Sequence, residues 1–269
     1  MEALDAHIIN AALGAEAGRF RLAVIDRCDS TNTWLLDQPP PCDDAIEVVA
    51  CEWQTGGRGR RGRSWLSAPE ASLTFSLRWR FAAGVPPVAG LSLAVGVAVA
   101  QALERMGAAG VQLKWPNDIL ASVGKRGGKL GGILVETQSQ GGMTVAVIGI
   151  GLNVRLPASI AKAVSESGGV DAADIVSVMQ AAPSRNLLLA SLLLELASAL
   201  ARFSQSGFAV FVDDWQARNA YVDRTVRILD HGAETIEGRC VGVDSDGALL
   251  LDTRVGLRRI VNGEVSLRL

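Results

Sequence analysis

The chain has 269 residues, and its 26 basic and 28 acidic side chains give a formal net charge of -2. This near balance disfavours a general nucleic-acid-binding protein, whose surface is expected to be clearly basic. The chain has two histidines and four cysteines without a C-x-x-C spacing, which disfavours a zinc site. The scattered thiols and the absence of a basic signal-peptide start predict a protein of the reducing cytoplasm.

Six short apolar runs rich in β-branched residues predict strands in the first part of the chain. They lie at residues 22–25, 48–51, 73–79, 111–115, 133–136 and 145–150. Helical patterns lie at residues 32–37, 88–106, 187–203 and 208–218. Because strands dominate before residue 153 and helices follow, we predict an α+β domain with one main sheet.

An uncharged run at residues 81–103 could belong to a membrane span or to a buried helix. Its helical part provides roughly 16 apolar residues, fewer than the ~20 that cross a bilayer. Glycines and prolines also interrupt the run. We therefore predict a buried helix and no membrane partner.

The pattern changes near residue 222 to short alternating segments separated by turn sequences such as Asp246-Gly247 and Asn262-Gly263. The segments lie at residues 226–229, 235–243, 248–251, 257–261 and 265–267, with a further turn at 230–232. Tightly turned strands of this kind predict a small β-barrel. The expected domains are therefore residues 1–221 and 222–269.

The most unusual segment is residues 56–65, which contains four arginines and four glycines and is called the arginine loop below. Glycine allows close approach to a ligand, and arginine forks match phosphate or carboxylate oxygens, so the loop suits an anion. A solvated charged loop is the alternative. The Gly57 and Gly62 spacing is not a P-loop, because Arg63 replaces the required lysine and no helical pattern follows.

Polar residues at the ends of three predicted strands could also carry chemistry. Ser30, Thr31 and Asn32 precede a helical pattern, where they could cap the helix or orient a small polar ligand. The segment 114–118 ends a strand in a proline turn. Lys129 lies among glycines at the start of another strand, and three of the four lysines fall between residues 114 and 129.

Taken together and in this order, these segments resemble the biotin protein ligase family. The matching stretches are residues 29–32, Gln54, 57–65, 114–118, 129–136 and 149–153. The resemblance implies a catalytic domain with one main mixed sheet flanked by helices, followed by a small SH3-like β-barrel. It implies the monofunctional type, because only about 20 residues precede the first strand, fewer than the ~50 of a DNA-binding domain.

The resemblance also implies the reaction. Biotin and ATP would react to give biotinyl-5′-AMP and pyrophosphate, with Mg²⁺ accompanying ATP. The biotinyl group would then pass to a lysine of a biotin carboxyl carrier protein, from acetyl-CoA carboxylase or another biotin-dependent carboxylase. The resemblance identifies no metal ligands, and the sequence leaves a homodimer open.

Residue roles follow from the same resemblance. Contacts with biotin are expected from Ser30, Thr31, Asn32, Gln54, Gly57, Arg58, Gly59, Arg60, Lys129 and Gly132. Contacts with ATP or the adenylate are expected from Arg58, Arg60, Arg61, Trp65, Asn117, Lys129 and Asn153, the last reading adenine. Lys129 is the expected main catalytic residue, with Arg60 retaining the intermediate and Asp118 positioning Lys129 or the metal; Lys125 is the alternative lysine.

Two other functions share some of these features. A lipoate ligase or octanoyltransferase has the same fold and carboxylate chemistry, but the arginine loop favours biotin. An RNA-binding protein could use an Arg-Gly loop and a terminal barrel, but the acidic pI of about 5.8 disfavours it. We therefore predict a biotin ligase without a nucleic-acid partner.

Overall fold

The computed structural model describes residues 2–40, 43–82, 89–123, 126–140, 143–168, 171–179, 181–229 and 235–267. The strands of its main sheet are β1 (Phe20–Cys28), β2 (Ile46–Gln54), β3 (Ser72–Phe81), β4 (Val111–Lys114), β5 (Asp118–Val123), β6 (Arg126–Gln140) and β7 (Met143–Asn153). Their order is β1-β2-β3-β7-β6-β5-β4. The β1–β2 pair is parallel and the other pairs are antiparallel, so the sheet is mixed.

The helices are α1 (Ala6–Leu13), α2 (Thr31–Asp37), α3 (Leu91–Arg105), α4 (Ala158–Gly168), α5 (Arg185–Ser206) and α6 (Val212–Gln216). The predicted helix at 208–218 is divided between a 3₁₀ turn, Gly207–Phe211, and α6. Residues 83–88 of the uncharged run lie outside the described residues, Phe81 ends β3, and residues 91–103 belong to α3, which is largely buried as predicted.

The two faces of the main sheet differ because side chains alternate along each strand. On β3, Leu73, Phe75 and Leu77 point into the core beneath α1, α3 and α5, whereas Thr74 and Ser76 point to the other face. On β7, Ile148, Ile150 and Leu152 belong to the core, while Gly149, Gly151 and Asn153 lie on the face that α2 partly covers. The second face is therefore polar and rich in glycine, which leaves room for a cavity.

By length and composition alone, the helical segment 185–216, which comprises α5, the 3₁₀ turn and α6, could cross a membrane. In the structure, however, Leu188, Leu192 and Leu196 are fully buried, and α5 packs against α1 and α3. This packing is typical of a central core helix, which can be as long and apolar as a membrane-spanning helix.

The C-terminal strands are β8 (Thr225–Leu229), β9 (Ile236–Val243), β10 (Leu249–Thr253), β11 (Gly256–Ile260) and β12 (Glu264–Leu267). They form an antiparallel sheet in the order β11-β10-β9-β8-β12. Trp115 Nε1 donates a hydrogen bond of 3.0 Å to the Gly247 carbonyl and so connects the loop between β4 and β5 to this C-terminal sheet. The predicted α+β class with a small SH3-like C-terminal domain is confirmed, while the predicted turn at 230–232 lies outside the described residues.

Candidate active site

A cavity of about 550 Å³ opens on the polar face of the main sheet, between α2, the arginine loop and the start of β6. Its walls include nearly all residues that the sequence selects as site residues: Ser30, Thr31, Asn32, Gln54, Arg58, Gly59, Arg60, Arg61, Trp65, Asn117, Lys129, Gly132 and Asn153. Gly57 is the exception. It lies against Trp65, whose carbonyl oxygen would be only 2.6 Å from a Cβ at position 57.

One end of the cavity carries a buried network of hydroxyl and amide groups. The Thr31 backbone N–H donates to Gln54 Oε1 at 2.7 Å, and the Thr31 hydroxyl lies 3.1 Å from the same oxygen. Ser76 Oγ lies 2.7 Å from Thr31 Oγ1 and donates to Asn32 Oδ1 at 2.6 Å. These groups form a rigid polar wall that can bind a small ligand with both donors and acceptors.

The capping interpretation of Ser30 is not supported by the geometry. Ser30 occupies the N-cap position of α2, but its side chain makes no capping hydrogen bond. It is buried and lines the cavity instead.

The arginine loop is closed by its own backbone. Trp65 N–H donates to the Gly57 carbonyl at 2.8 Å, and Gly59 N–H donates to the Arg63 carbonyl at 2.7 Å. The turn between them passes through Arg61 and Gly62, which have left-handed φ values of 57° and 74°. A tight turn therefore places arginines along the cavity.

Two loop arginines contact residues outside the loop. Arg58 Nη2 forms an ion pair of 2.9 Å with Glu136 Oε2, and Arg60 Nη1 donates to Asn117 Oδ1 at 3.4 Å. The loop is largely exposed, as the solvated-loop alternative expects, but it also lines the cavity. The loop crosses the cavity and brings cationic groups to it.

Lys129 reaches the cavity because β6 has one residue more than its partner strand at this point. Ile119 pairs with Gly131 and Leu120 pairs with Lys129, so Leu130 has no partner in β5. Such a bulge changes the face to which the next side chain points. Leu130 is accordingly buried in the core, whereas Lys129 lines the cavity.

Asp118 holds two lysines. Its Oδ1 lies 2.6 Å from Lys129 Nζ, and its Oδ2 lies 3.3 Å from Lys114 Nζ. Burial by itself would raise the pKa of Asp118, but the charges and hydrogen bonds of Lys129 and Lys114 outweigh burial and hold that pKa below its ordinary value. Lys114 is buried, whereas the Lys129 side chain is 28% exposed and available to a ligand.

Trp65 and Asn153 each bring a buried polar atom to the cavity. Asn153 Nδ2 donates to the carbonyls of Lys129 and Ala173, both at 3.1 Å. Its Oδ1, like Trp65 Nε1, is buried and has no hydrogen-bond partner among the described residues. Since such groups normally find a partner, the pair points to a ligand with a donor and an acceptor.

A protein-built metal site is not evident. No group of three or more His, Cys, Asp or Glu side chains comes together in the part of the chain that the structure describes. Of the described residues that line the cavity, Asp118 alone carries a carboxylate, and lysines engage both of its oxygens.

Sequence reasoning did not select Ser76, Lys114 or Glu136. A signal for Ser76 was present, because Ser72, Thr74, Ser76 and Arg78 alternate with apolar residues along β3. Lys114 and Glu136 belong to the motifs but had no assigned role. Lys125 lies outside the described residues.

The family comparisons match both parts of the chain. Residues 24–153 match the model of the Biotin/lipoate A/B protein ligase family, and residues 221–268 match the biotin protein ligase C-terminal domain.

Individual relatives agree with this result. The chain is 35% identical to the bifunctional ligase/repressor BirA of Salmonella typhimurium over 269 residues, which are 100% of this chain and 79% of that protein. It is 35% identical to the biotin–[acetyl-CoA-carboxylase] ligase of Mycobacterium tuberculosis over 255 residues, 93% of this chain and 89% of that protein. Among solved structures, the biotin protein ligase of Aquifex aeolicus in complex with biotin and ATP has a TM-score of 0.73 and 27% identity, covering 92% of this chain and 98% of that one.

The chain belongs to the biotin protein ligase family. Its activity is the ATP-dependent activation of biotin and the transfer of biotin to a carrier protein. The function and enzyme class that the sequence predicts are confirmed.

Proposed function

We propose that the cavity binds biotin with its ureido head at Ser30, Thr31 and Gln54. The observation that carries this assignment is the buried network in which Thr31 and Gln54 are already fixed by hydrogen bonds. The remaining residues expected to contact biotin are Asn32, Arg58, Gly59, Arg60, Lys129 and Gly132, which line the cavity, and Gly57, which lies against Trp65 and would act through the loop backbone. Fixed donors and acceptors favour a ligand that offers both an N–H and a carbonyl oxygen.

The adenylate occupies the other part of the cavity. Asn153 Oδ1 accepts a hydrogen bond from the adenine amino group, and Trp65 borders the nucleotide. The unpartnered Oδ1 of Asn153 and Nε1 of Trp65 support this placement. Arg58, Arg60, Arg61, Asn117 and Lys129 surround the phosphate.

The first half-reaction forms a bond between a biotin carboxylate oxygen and the α-phosphorus of ATP while the bond to pyrophosphate breaks. Lys129 and Arg60 stabilise the charge that develops on the α-phosphoryl group, because fixed cations are most effective where charge accumulates. Asp118 orients Lys129. No covalent intermediate with the protein forms.

Mg²⁺ accompanying ATP would supply neutralisation of the phosphate charge during such a displacement. Among the described residues that line the cavity, Asp118 alone carries a carboxylate and lysines engage both of its oxygens, so the ATP phosphates would be the main ligands of the ion.

In the second half-reaction, the amine of a carrier-protein lysine attacks the carbonyl carbon of the mixed anhydride. AMP leaves, and the proton of the amine passes to solvent. The acceptor is a biotin carboxyl carrier protein of acetyl-CoA carboxylase or another carboxylase. Proximity to an activated anhydride supplies much of the rate.

We also propose the molecular context. The catalytic domain spans residues 1–221 and the small domain spans 222–269, in line with their separate sheets. The protein is cytoplasmic and binds no nucleic acid or membrane. Sedimentation with and without biotinyl-5′-AMP decides whether it forms a homodimer.

The direct test combines the protein with biotin, MgATP and a biotin carboxyl carrier domain, and detects transfer with streptavidin. Labelling of the carrier is expected, and its absence would overturn the proposal. Pyrophosphate release driven by octanoate or lipoate, but not by biotin, would favour the lipoate alternative. A gel shift with RNA at low salt would favour the nucleic-acid alternative.

A further inference from the structure

Glu136 connects the arginine loop to the polar end of the cavity through a single carboxylate oxygen. Its Oε2 accepts a hydrogen bond from Asn32 Nδ2 at 2.7 Å and lies 2.9 Å from Arg58 Nη2. Asn32 is buried, whereas the Arg58 and Glu136 side chains are 44% and 28% exposed. Glu136 Oε2 thus accepts hydrogen bonds from the partly exposed Arg58 of the loop and from the buried Asn32 amide.

The contacts of Asn32 continue to the residues assigned to biotin. Ser76, which is fully buried, donates to Asn32 Oδ1 and lies in hydrogen-bond contact with Thr31 Oγ1. Thr31 in turn donates its backbone N–H to Gln54 Oε1. An unbroken series of hydrogen bonds therefore runs from Arg58 to Gln54.

The backbone of the sheet makes this series sterically possible. Gly149 lies beside the Asn32 amide, and a Cβ at position 149 would overlap Asn32. Acceptors at Glu136 Oε2 and at the Leu134 carbonyl, 3.3 Å from Nδ2, fix the orientation of this amide. Asn32 consequently cannot turn away without losing bonds on both sides.

We propose that Glu136 is a positioning residue that couples the arginine loop to the biotin head pocket. Its charge holds Arg58, and its acceptor oxygen holds Asn32; these are separable roles. Charge-assisted hydrogen bonds are about twice as strong as neutral ones, so an amide at position 136 keeps Asn32 in place but weakens the hold on Arg58. The proposal rests on the assignment of biotin to Thr31 and Gln54.

Two substitutions at one position separate these roles. Glu136→Gln should leave the Kd for biotin within about twofold and accelerate the dissociation of biotinyl-5′-AMP about three- to fivefold, as expected when a partly exposed ion pair is reduced to a neutral hydrogen bond. Glu136→Ala should raise both quantities about tenfold. Titration calorimetry measures the first quantity and a chase with excess unlabelled biotin and ATP the second.

Double variants exclude a merely structural role for Glu136. Because Arg58 and Glu136 act as a pair, adding Glu136→Gln to Arg58→Ala should not accelerate adenylate release further. Additive effects would overturn the coupling. Glu16→Gln, which removes an exposed ion pair with Arg19 far from these contacts, is the control and should match wild type.

The outcomes also distinguish this inference from the proposed function. If wild type neither binds biotin nor forms the adenylate, the proposed function fails. If wild type does both, and Glu136→Ala is folded by circular dichroism with unchanged Kd and release rate, only the role of Glu136 is refuted.

Discussion

At the residue scale, Lys129 is the group whose removal should affect chemistry most and folding least. Its side chain is partly exposed, and Asp118 keeps a second partner in Lys114. Lys129→Ala should slow adenylate formation about 10²–10³-fold, the usual loss when one charge-stabilising donor is removed. Pyrophosphate release measures the rate.

Lys125→Ala is the matched control, because Lys125 is the other lysine that the sequence offers near this position. It should retain nearly normal activity. Normal adenylate formation by Lys129→Ala, with loss in Lys125→Ala, would show that the catalytic lysine is misassigned.

Asp118→Asn should destabilise the fold because it leaves Lys114 buried without a carboxylate. Breaking a buried ion pair costs about 3–5 kcal/mol. Because Lys129 is partly exposed, we expect a loss near the lower end of this range, about 3 kcal/mol. The depressed pKa of Asp118 means that its stabilising effect is complete above the ordinary value of 3.8 and disappears as the pH falls through the lower folded pKa.

Urea unfolding at several pH values checks this prediction. The difference in free energy of unfolding between wild type and Asp118→Asn should be constant between about pH 5 and 8 and shrink below about pH 4. A difference that grows on acidification would contradict the charge pairing.

Site residues could be predicted from the sequence where they belong to a short distinctive segment of the chain. Lys129 and the arginine loop stand out in short stretches of sequence. Glu136 and Ser76 acquire their roles from Asn32, which is 104 residues from Glu136 and 44 from Ser76. No local pattern encodes such contacts, because they arise only when the sheet assembles.

At the element scale, the main surprise is β5. The proline turn correctly predicts that a strand ends near Lys114, but the sequence pattern does not predict the strand β5 that begins at Asp118 and pairs with β4 across the turn at residues 115–117. Turn chemistry marks a reversal of the chain without indicating whether another strand follows. The sequence pattern also does not predict the bulge at Leu130, although this bulge determines the face of the sheet to which the Lys129 side chain points.

Gly149→Ala tests the close packing of α2 on β7. The added methyl group would overlap the Asn32 amide, and overpacking of this kind costs about 1–3 kcal/mol. We expect the Kd for biotin to rise about tenfold or more as Asn32 moves and the contacts to Ser76 and Thr31 weaken.

Gly18→Ala is the control for this substitution, because a Cβ at position 18 meets nothing within 4 Å. Its biotin affinity should equal that of wild type. If Gly149→Ala binds biotin as tightly as Gly18→Ala, the Asn32 amide is not part of the head pocket.

At the scale of the whole molecule, alternation along the strands predicts two different faces, but not the order of the strands. The β3–β7 pair joins Ser72 to Asn153 and Phe81 to Thr144, so its register depends on contacts between distant segments. The covering of one face by α1, α3 and α5 decides which face remains open as the cavity. Fold class was therefore predictable from pattern, and topology was not.

A side-chain hydrogen bond of Trp115 connects the two domains. Trp115 is buried and donates its indole N–H to Gly247 of the C-terminal domain. Trp115→Phe removes this bond and part of a buried ring system, and should lower the free energy of unfolding by about 2–3 kcal/mol. Trp53→Phe, at a tryptophan that is 40% exposed, is the matched control and should have little effect. A lower urea midpoint for Trp115→Phe, with an unchanged dependence of the unfolding free energy on urea concentration, would establish the loss. Equal midpoints for the two variants would show that this bond does not hold the domains together.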